Sequence, residues 1–216
     1  MEKRHDNLMR TIRTDLKNLE TPEKYYKEDI NKDTLQIQYE IHKQFPDNYD
    51  AQIVIEIPEK MTFDTMDFDI GAADADFASG SVNCRTMELN VGAGELTGAD
   101  FAVTGTLDIK LGAGDIDLEG GTYKDIKLDC GMGSFALDGI VAENVKAHCG
   151  MGDGSITLRG REEDYNYKMS CGMGDLTVNG ESYSDLSGSY KVTNAGAVGT
   201  IDLDCGMGSI DFDIES

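Results

Sequence analysis

Four cysteines open the same tetrapeptide. Cys-Gly-Met-Gly stands at residues 130–133, 149–152, 171–174 and 205–208. Thiols at one place in a repeat suggest a zinc site or a disulfide. Tetrahedral zinc needs four sulfurs about 2.3 Å from one point. A stacked repeat instead spreads Cys130, Cys149, Cys171 and Cys205 along a line, at about 4.8 Å per step. The spacing is also unlike C-x-x-C. A disulfide between neighbouring repeats fits the usual Cα separation. In an oxidising compartment Cys130–Cys149 is the best-placed pair, and Cys205 partners Cys171 only if no coil intervenes. Earlier repeats carry Val91 and Leu111 at this position. That substitution pattern marks an inward, small apolar column, a role unpaired cysteine fills well. Cys84 lies outside the column and makes the count odd.

The second chemistry is soft sulfur of another kind. Met132, Met151, Met173 and Met207 follow Ala93 and Ala113 in one column. They read either as corner packing or as an apolar edge that adapts to a partner. Thioether copper binding has no His or Met-x-Met support here. A third chemistry is calcium. Gly112-Ala113-Gly114-Asp115 approaches a nonapeptide calcium roll, but the returns lack the ligand Asp and two copies carry Ser134 and Ser209 instead. A fourth is a cationic face. Lys110, Lys127, Lys146, His148 and Lys168 share one outward sheet face, with three lysines stacked directly in chain order. It reads as a mixed-charge solvated face relieved by Asp108 and Asp129, or as a shallow site for an acidic glycan or an acidic patch of a partner. Serine-hydrolase, zinc-protease and nucleotide-loop motifs do not occur. No catalytic residue, metal ligand or cofactor site is nominated, and the chain is expected to be non-enzymatic.

The elements that position these residues follow from the repeat. Glycine pairs recur at Gly92 and Gly94, Gly112 and Gly114, Gly131 and Gly133, Gly150 and Gly152, Gly172 and Gly174, and Gly206 and Gly208, after a degenerate Gly71 copy. First glycines are 21, 20, 19, 19, 22 and 34 residues apart. Apolar residues alternate on both sides, as in Ile126, Leu128, Cys130 and then Phe135, Leu137. A period near twenty with strand-like flanks predicts a stacked solenoid. Each coil is a strand, a Gly-x-Gly corner, a second strand and a looser return. The fold class is therefore all-β, a parallel β-helix of about seven coils, right-handed by the crossover rule. Glycine at the corners permits positive φ and close backbone approach. Asp153-Gly154 reads as a corner bulge, and 180–199 as an extra coil or a loop, with a strand near Tyr190-Lys191-Val192-Thr193.

Ahead of the coils, Leu8, Met9, Ile12, Leu16 and Leu19 give a helical stripe over 5–19, and Thr21-Pro22 starts a short helix over 22–30. Strands near Leu35–Ile41 and Ile53–Ile57 read as an antiparallel hairpin around a turn at Phe45–Asn48. The domains are thus a helical cap over 1–33 and a solenoid over 34–216, with the hairpin at 34–58 and coils from 61. The last coil, Ile201–Ile214, is expected to expose an edge guarded by Asp202, Asp204, Asp211, Asp213 and Glu215, and a homodimer through it is one expectation.

The chain has 216 residues, 19 basic and 41 acidic, for a net charge of −22. Such a surface repels phosphate backbones and anionic lipid, so nucleic-acid binding and electrostatic membrane docking are not expected. No apolar run reaches membrane-spanning length, and the N-terminus lacks a signal-peptide core. The strand ending Ile57-Pro58, the stretch Phe63–Asp69 and the repeated G-x-G-[DES]-[ILF] corners resemble the bacterial toastrack-like domain family of unknown function, labelled adhesin, over roughly residues 34–216. The resemblance implies a β-strand-repeat module, often following a membrane anchor in cell-envelope proteins, with no defined catalytic residues. It implies a surface module that binds or scaffolds a protein or glycan partner. An intracellular regulatory or stress-sensing module is the alternative, and a carbohydrate-active β-helix enzyme a lesser one.

Overall fold

A computed structural model describes residues 13–17, 26–31, 34–39, 52–58, 61–80, 82–183 and 189–216. The chain divides into two compact units, Met1–Met61 and Thr62–Ser216. In the first, Arg13–Lys17 pairs antiparallel with Gln52–Glu56, and Tyr26–Asn31 pairs antiparallel with Thr34–Tyr39. The helices expected over 5–19 and 22–30 are therefore strands where described, and the rest of both spans lies outside the described residues. Leu16 faces Ile53 and Thr14 faces Ile55. The alternating isoleucines offer a strand partner, and that pairing overrides a local helical stripe. The strands expected at 35–41 and 53–57 exist but do not pair with each other. The expected turn at 45–48 lies outside the described residues. The strands read as a hairpin opening the solenoid domain belong to the first unit.

The described residues of the second unit are all-β, apart from one 3-10 turn at Glu162–Asp164. Strands before the corners form one parallel ladder and strands after them form another. The 16-residue strand Ser134–Cys149 runs from one ladder into the other. Inward residues alternate along the ladder strands on both sides of a corner, so Ile126, Leu128, Cys130, Phe135 and Leu137 are all buried. Phe77 stacks edge-on against Phe68 and Phe101, at 4.9 and 5.5 Å, and fills the first coils.

The ladder order is not the chain order. Strand Gly199–Cys205 pairs with Asn144–Cys149 on one side and Tyr165–Cys171 on the other. Ser209–Glu215 likewise lies between Asp153–Arg159 and Asp175–Val178. The C-terminal coil is inserted between the Cys149 and Cys171 coils. It does not expose an edge, so the expected edge protection by its acids, and a dimer through that edge, lose their structural basis. The described residues of 180–199 supply no extra coil, and the rest of that span lies outside the described residues. Glu181–Ser182 and Ser189–Val192 fold back antiparallel on the strands of the Cys171 coil. Asn194 fastens this return, its side-chain amide donating to the Tyr165 carbonyl at 2.7 Å and its backbone N–H to Asn166 Oδ1 at 2.9 Å.

Corner glycines are needed for closeness rather than for dihedral freedom. Positive φ falls at the returns, at Gly80, Asp100, Gly120, Gly139 and Asn179, and at no corner glycine. Asp and Asn are the non-glycine residues that best tolerate this region. The residue between the corner glycines donates its N–H to a glycine carbonyl of the coil before it, as Met132 does to Gly112 at 2.8 Å. A Cβ on the second glycine of each pair would collide with the neighbouring coil's carbonyl. The expected bulge at Asp153-Gly154 is absent. Gly154 is in register with Phe135 and Ile210, and the Phe135 ring occupies the space its side chain would take.

Candidate functional site

Insertion of the last coil orders every column. The thiols run Cys130, Cys149, Cys205, Cys171 along four adjacent, in-register strands. All are free and between 0 and 7% exposed. Each Sγ–H donates to the backbone carbonyl three residues on: Cys130 to Gly133 at 3.3 Å, Cys149 to Gly152 at 3.0 Å, Cys171 to Gly174 at 3.1 Å and Cys205 to Gly208 at 3.2 Å. Cys130 and Cys149 are in-register neighbours with free thiols, so the disulfide expected for an oxidising compartment is not formed in this structure. Burial pushes the Cys130 and Cys205 thiols up to about 12 and the Cys84 thiol to about 11, and it also raises Cys149. Cys84 belongs to another core column, between Phe63 and Val103.

An alkaline titration tests this rail. The native Cys130, Cys149 and Cys205 thiols keep their protons longer than the unfolded ones, so their contribution is complete below the unfolded pKa of about 8.5. It is lost as pH rises toward about 12. The urea midpoint is expected to fall steadily between pH 8 and 10.5, and a flat or rising midpoint contradicts protonated, carbonyl-bound thiols. Burial also raises Tyr123 and Tyr167 and acts in the same direction.

The outward face of the first ladder is neutralised by the inserted coil. One column reads Glu88, Asp108, Lys127, Lys146, Asp202, Lys168. Of the three lysines expected to stack, Lys127 and Lys146 stay adjacent, while Asp202 separates Lys168 from Lys146 and binds its Nζ at 3.0 Å. In the next column Asp204 lies between His148 and Ser170, 3.1 Å from His148 Nδ1 and accepting from Ser170 Oγ at 2.7 Å. Lys110 pairs with Glu88 at 2.5 Å, holding that carboxyl below its usual range. The five residues of the expected cationic face do share one face, but Lys110, His148 and Lys168 have acidic partners. Of the five, Lys127 and Lys146 form no ion pair with another described residue.

The corner column of the second ladder behaves alike. It reads Glu95, Asp115, Ser134, Asp153, Ser209, Asp175. Ser134 Oγ donates to Asp115, and Ser209 Oγ to Asp153 at 2.6 Å. Serine thus alternates with carboxylate, where chain order would set Asp153 beside Asp175. Asp202, counter-ion to Lys168, and Asp204, hydrogen-bonded to His148 and Ser170, were the residues missed, and their signal was the complementary side chains of the Cys149 and Cys171 coils.

The methionines are different. They stand in the order Met132, Met151, Met207, Met173 on successive coils. Their exposures are 62, 53, 55 and 82%. They make one continuous thioether ridge, bordered by the Asp115–Asp175 column. Among the described residues no three His, Cys, Asp or Glu side chains are placed to hold one metal ion.

A parallel ladder closed by glycine corners and stacked coil on coil defines a β-strand-repeat solenoid. The chain belongs to the Toastrack DUF4097 family, whose model matches residues 2–210. No curated protein and no solved structure matches it.

Proposed function

We propose that this protein is a non-enzymatic module that binds or scaffolds, adhesin-like and placed at the cell envelope, in a right-handed solenoid of about seven coils. The methionine ridge carries the reading. Exposed apolar side chains on a soluble surface are usually scattered, whereas four of one type here sit on adjacent coils. Methionine surfaces adapt to partners of several shapes. The supporting experiment measures saturable binding of the purified chain to envelope fractions of the cells that produce it. Met151→Asp with Met207→Asp is expected to weaken binding at least about tenfold, equivalent to roughly 1.4 kcal/mol, with thermal stability unchanged. Saturable binding indifferent to both substitutions would remove the ridge from the reading.

A second reading, an intracellular regulatory or stress-sensing module, is favoured by one observation. The column thiols are free, buried and held as hydrogen-bond donors to backbone carbonyls. Binding confined to cytosolic fractions would select it.

A further inference from the structure

We infer that the ridge Met132–Met151–Met207–Met173 is a binding ladder for a soft monovalent metal ion, Cu(I) in particular. The inference does not depend on a polypeptide or glycan partner. Backbone N–H bonds of 2.7–2.8 Å pin the rungs, from Met132 to Gly112, Met151 to Gly131, Met207 to Gly150 and Met173 to Gly206. Adjacent rungs are therefore one strand spacing apart, about 4.8 Å. Two metal–sulfur bonds of about 2.3 Å, the length of a zinc–thiolate bond, span nearly that distance. Side-chain rotation alone can therefore bring neighbouring thioethers onto one ion, with the backbone register kept. The unbranched side chain has three rotatable bonds, so a third sulfur can lean in from the next rung.

The ligand type selects the metal. A thioether is neutral and soft and loses no proton on binding, which suits Cu(I) over hard ions. The bordering carboxylates Asp115, Asp153 and Asp175 and the net charge of −22 raise the local concentration of any cation. They do not set the selectivity. The thiol rail is shielded from solvent, its sulfurs buried and donating to carbonyls. The ladder is confined to four coils because Ala93 and Ala113 occupy its place in earlier ones.

The test uses the full chain with ¹³C-labelled methionine methyls and Ag(I) nitrate, a redox-silent stand-in, in chloride-free buffer. Cu(I) follows under argon, in competition with a chromophoric chelator. The expected result is that the four ridge methyls shift within the first two equivalents, while buried Met66, Met87 and Met169 stay in place. Leucine at all four positions is expected to lower Cu(I) affinity at least tenfold, and Met173→Leu alone by less. Ridge methyls that do not move, or a leucine variant that binds equally because the ion sits on cysteine, would overturn the inference. The wild-type methyl shifts decide the matter even if the fourfold variant fails to fold. Loss of envelope binding would leave these shifts untouched.

Discussion

Removing residues 199–216 is expected to unfold two coils rather than one. In a simple solenoid each coil touches only its neighbours, so losing the last costs one interface. Here the last coil is the sole ladder partner of the Cys171 coil on the solenoid side. Tyr165–Cys171 pairs with Gly199–Cys205, and Asp175–Val178 pairs with Ser209–Phe212. The other partners of those strands are the short returns Ser189–Val192 and Glu181–Ser182. Without the inserted coil, Tyr165, Tyr167, Met169, Leu176 and Val178 lose the wall against which they are buried. Native-state hydrogen exchange should show amides of 165–178 opening to the level of a frayed terminus, while 83–130 keep their protection. The new open edges on 144–149 and 153–159 should also promote aggregation. Full protection of 165–178 in the truncated chain would contradict the inserted order.

Gly208→Ala is expected to be among the most damaging single substitutions in the chain, and Gly131→Ala among the milder corner changes. A Cβ at Gly208 would overlap the carbonyl oxygen of Gly152, which is backbone and cannot swing away. A Cβ at Gly131 would stand 3.0 Å from the Gly112 oxygen, which a small shift relieves. The first should cost roughly 3–5 kcal/mol, in the tail of single-site effects, and the second about 1 kcal/mol. Urea unfolding of both variants measures the difference. Equal costs would mean that the two corner glycines serve one purpose, against the geometry described.

Much of the solenoid was legible because period and alternation are local. Ile126, Leu128 and Cys130 announce an inward face, and Gly-x-Gly at near-constant steps announces the corner. Column membership followed from the same register, so the cysteines fell inward and the methionines on a corner edge. Coil order was hidden, because parallel backbone pairing is chemically the same between any two coils. Its trace lay in outward charges: Asp202 beside Lys168, Asp204 beside His148, Ser209 beside Asp153. The N-terminal stripe misled for a related reason. Leu16 satisfies a helical spacing, yet its strand partner Ile53 lies far along the chain. Positive φ was assigned to the corners because glycine is abundant there, while the returns meet that need partly with Asp100 and Asn179.

Coil order also has a consequence for synthesis. A solenoid that stacks in chain order can build behind the ribosome, each turn docking as it emerges. This one cannot finish that way. The turn that carries Cys171 is made 45 residues before Ser216, and its permanent neighbour is translated only after it. At about 5–20 residues per second that interval is roughly 2–9 s. During it, the nascent chain must either hold a gap open or dock the earlier turn in the wrong place and release it later. The alternating Ser and Asp side chains give the wrong docking a reason to fail, since it would set Asp153 against Asp175 with no hydroxyl between them.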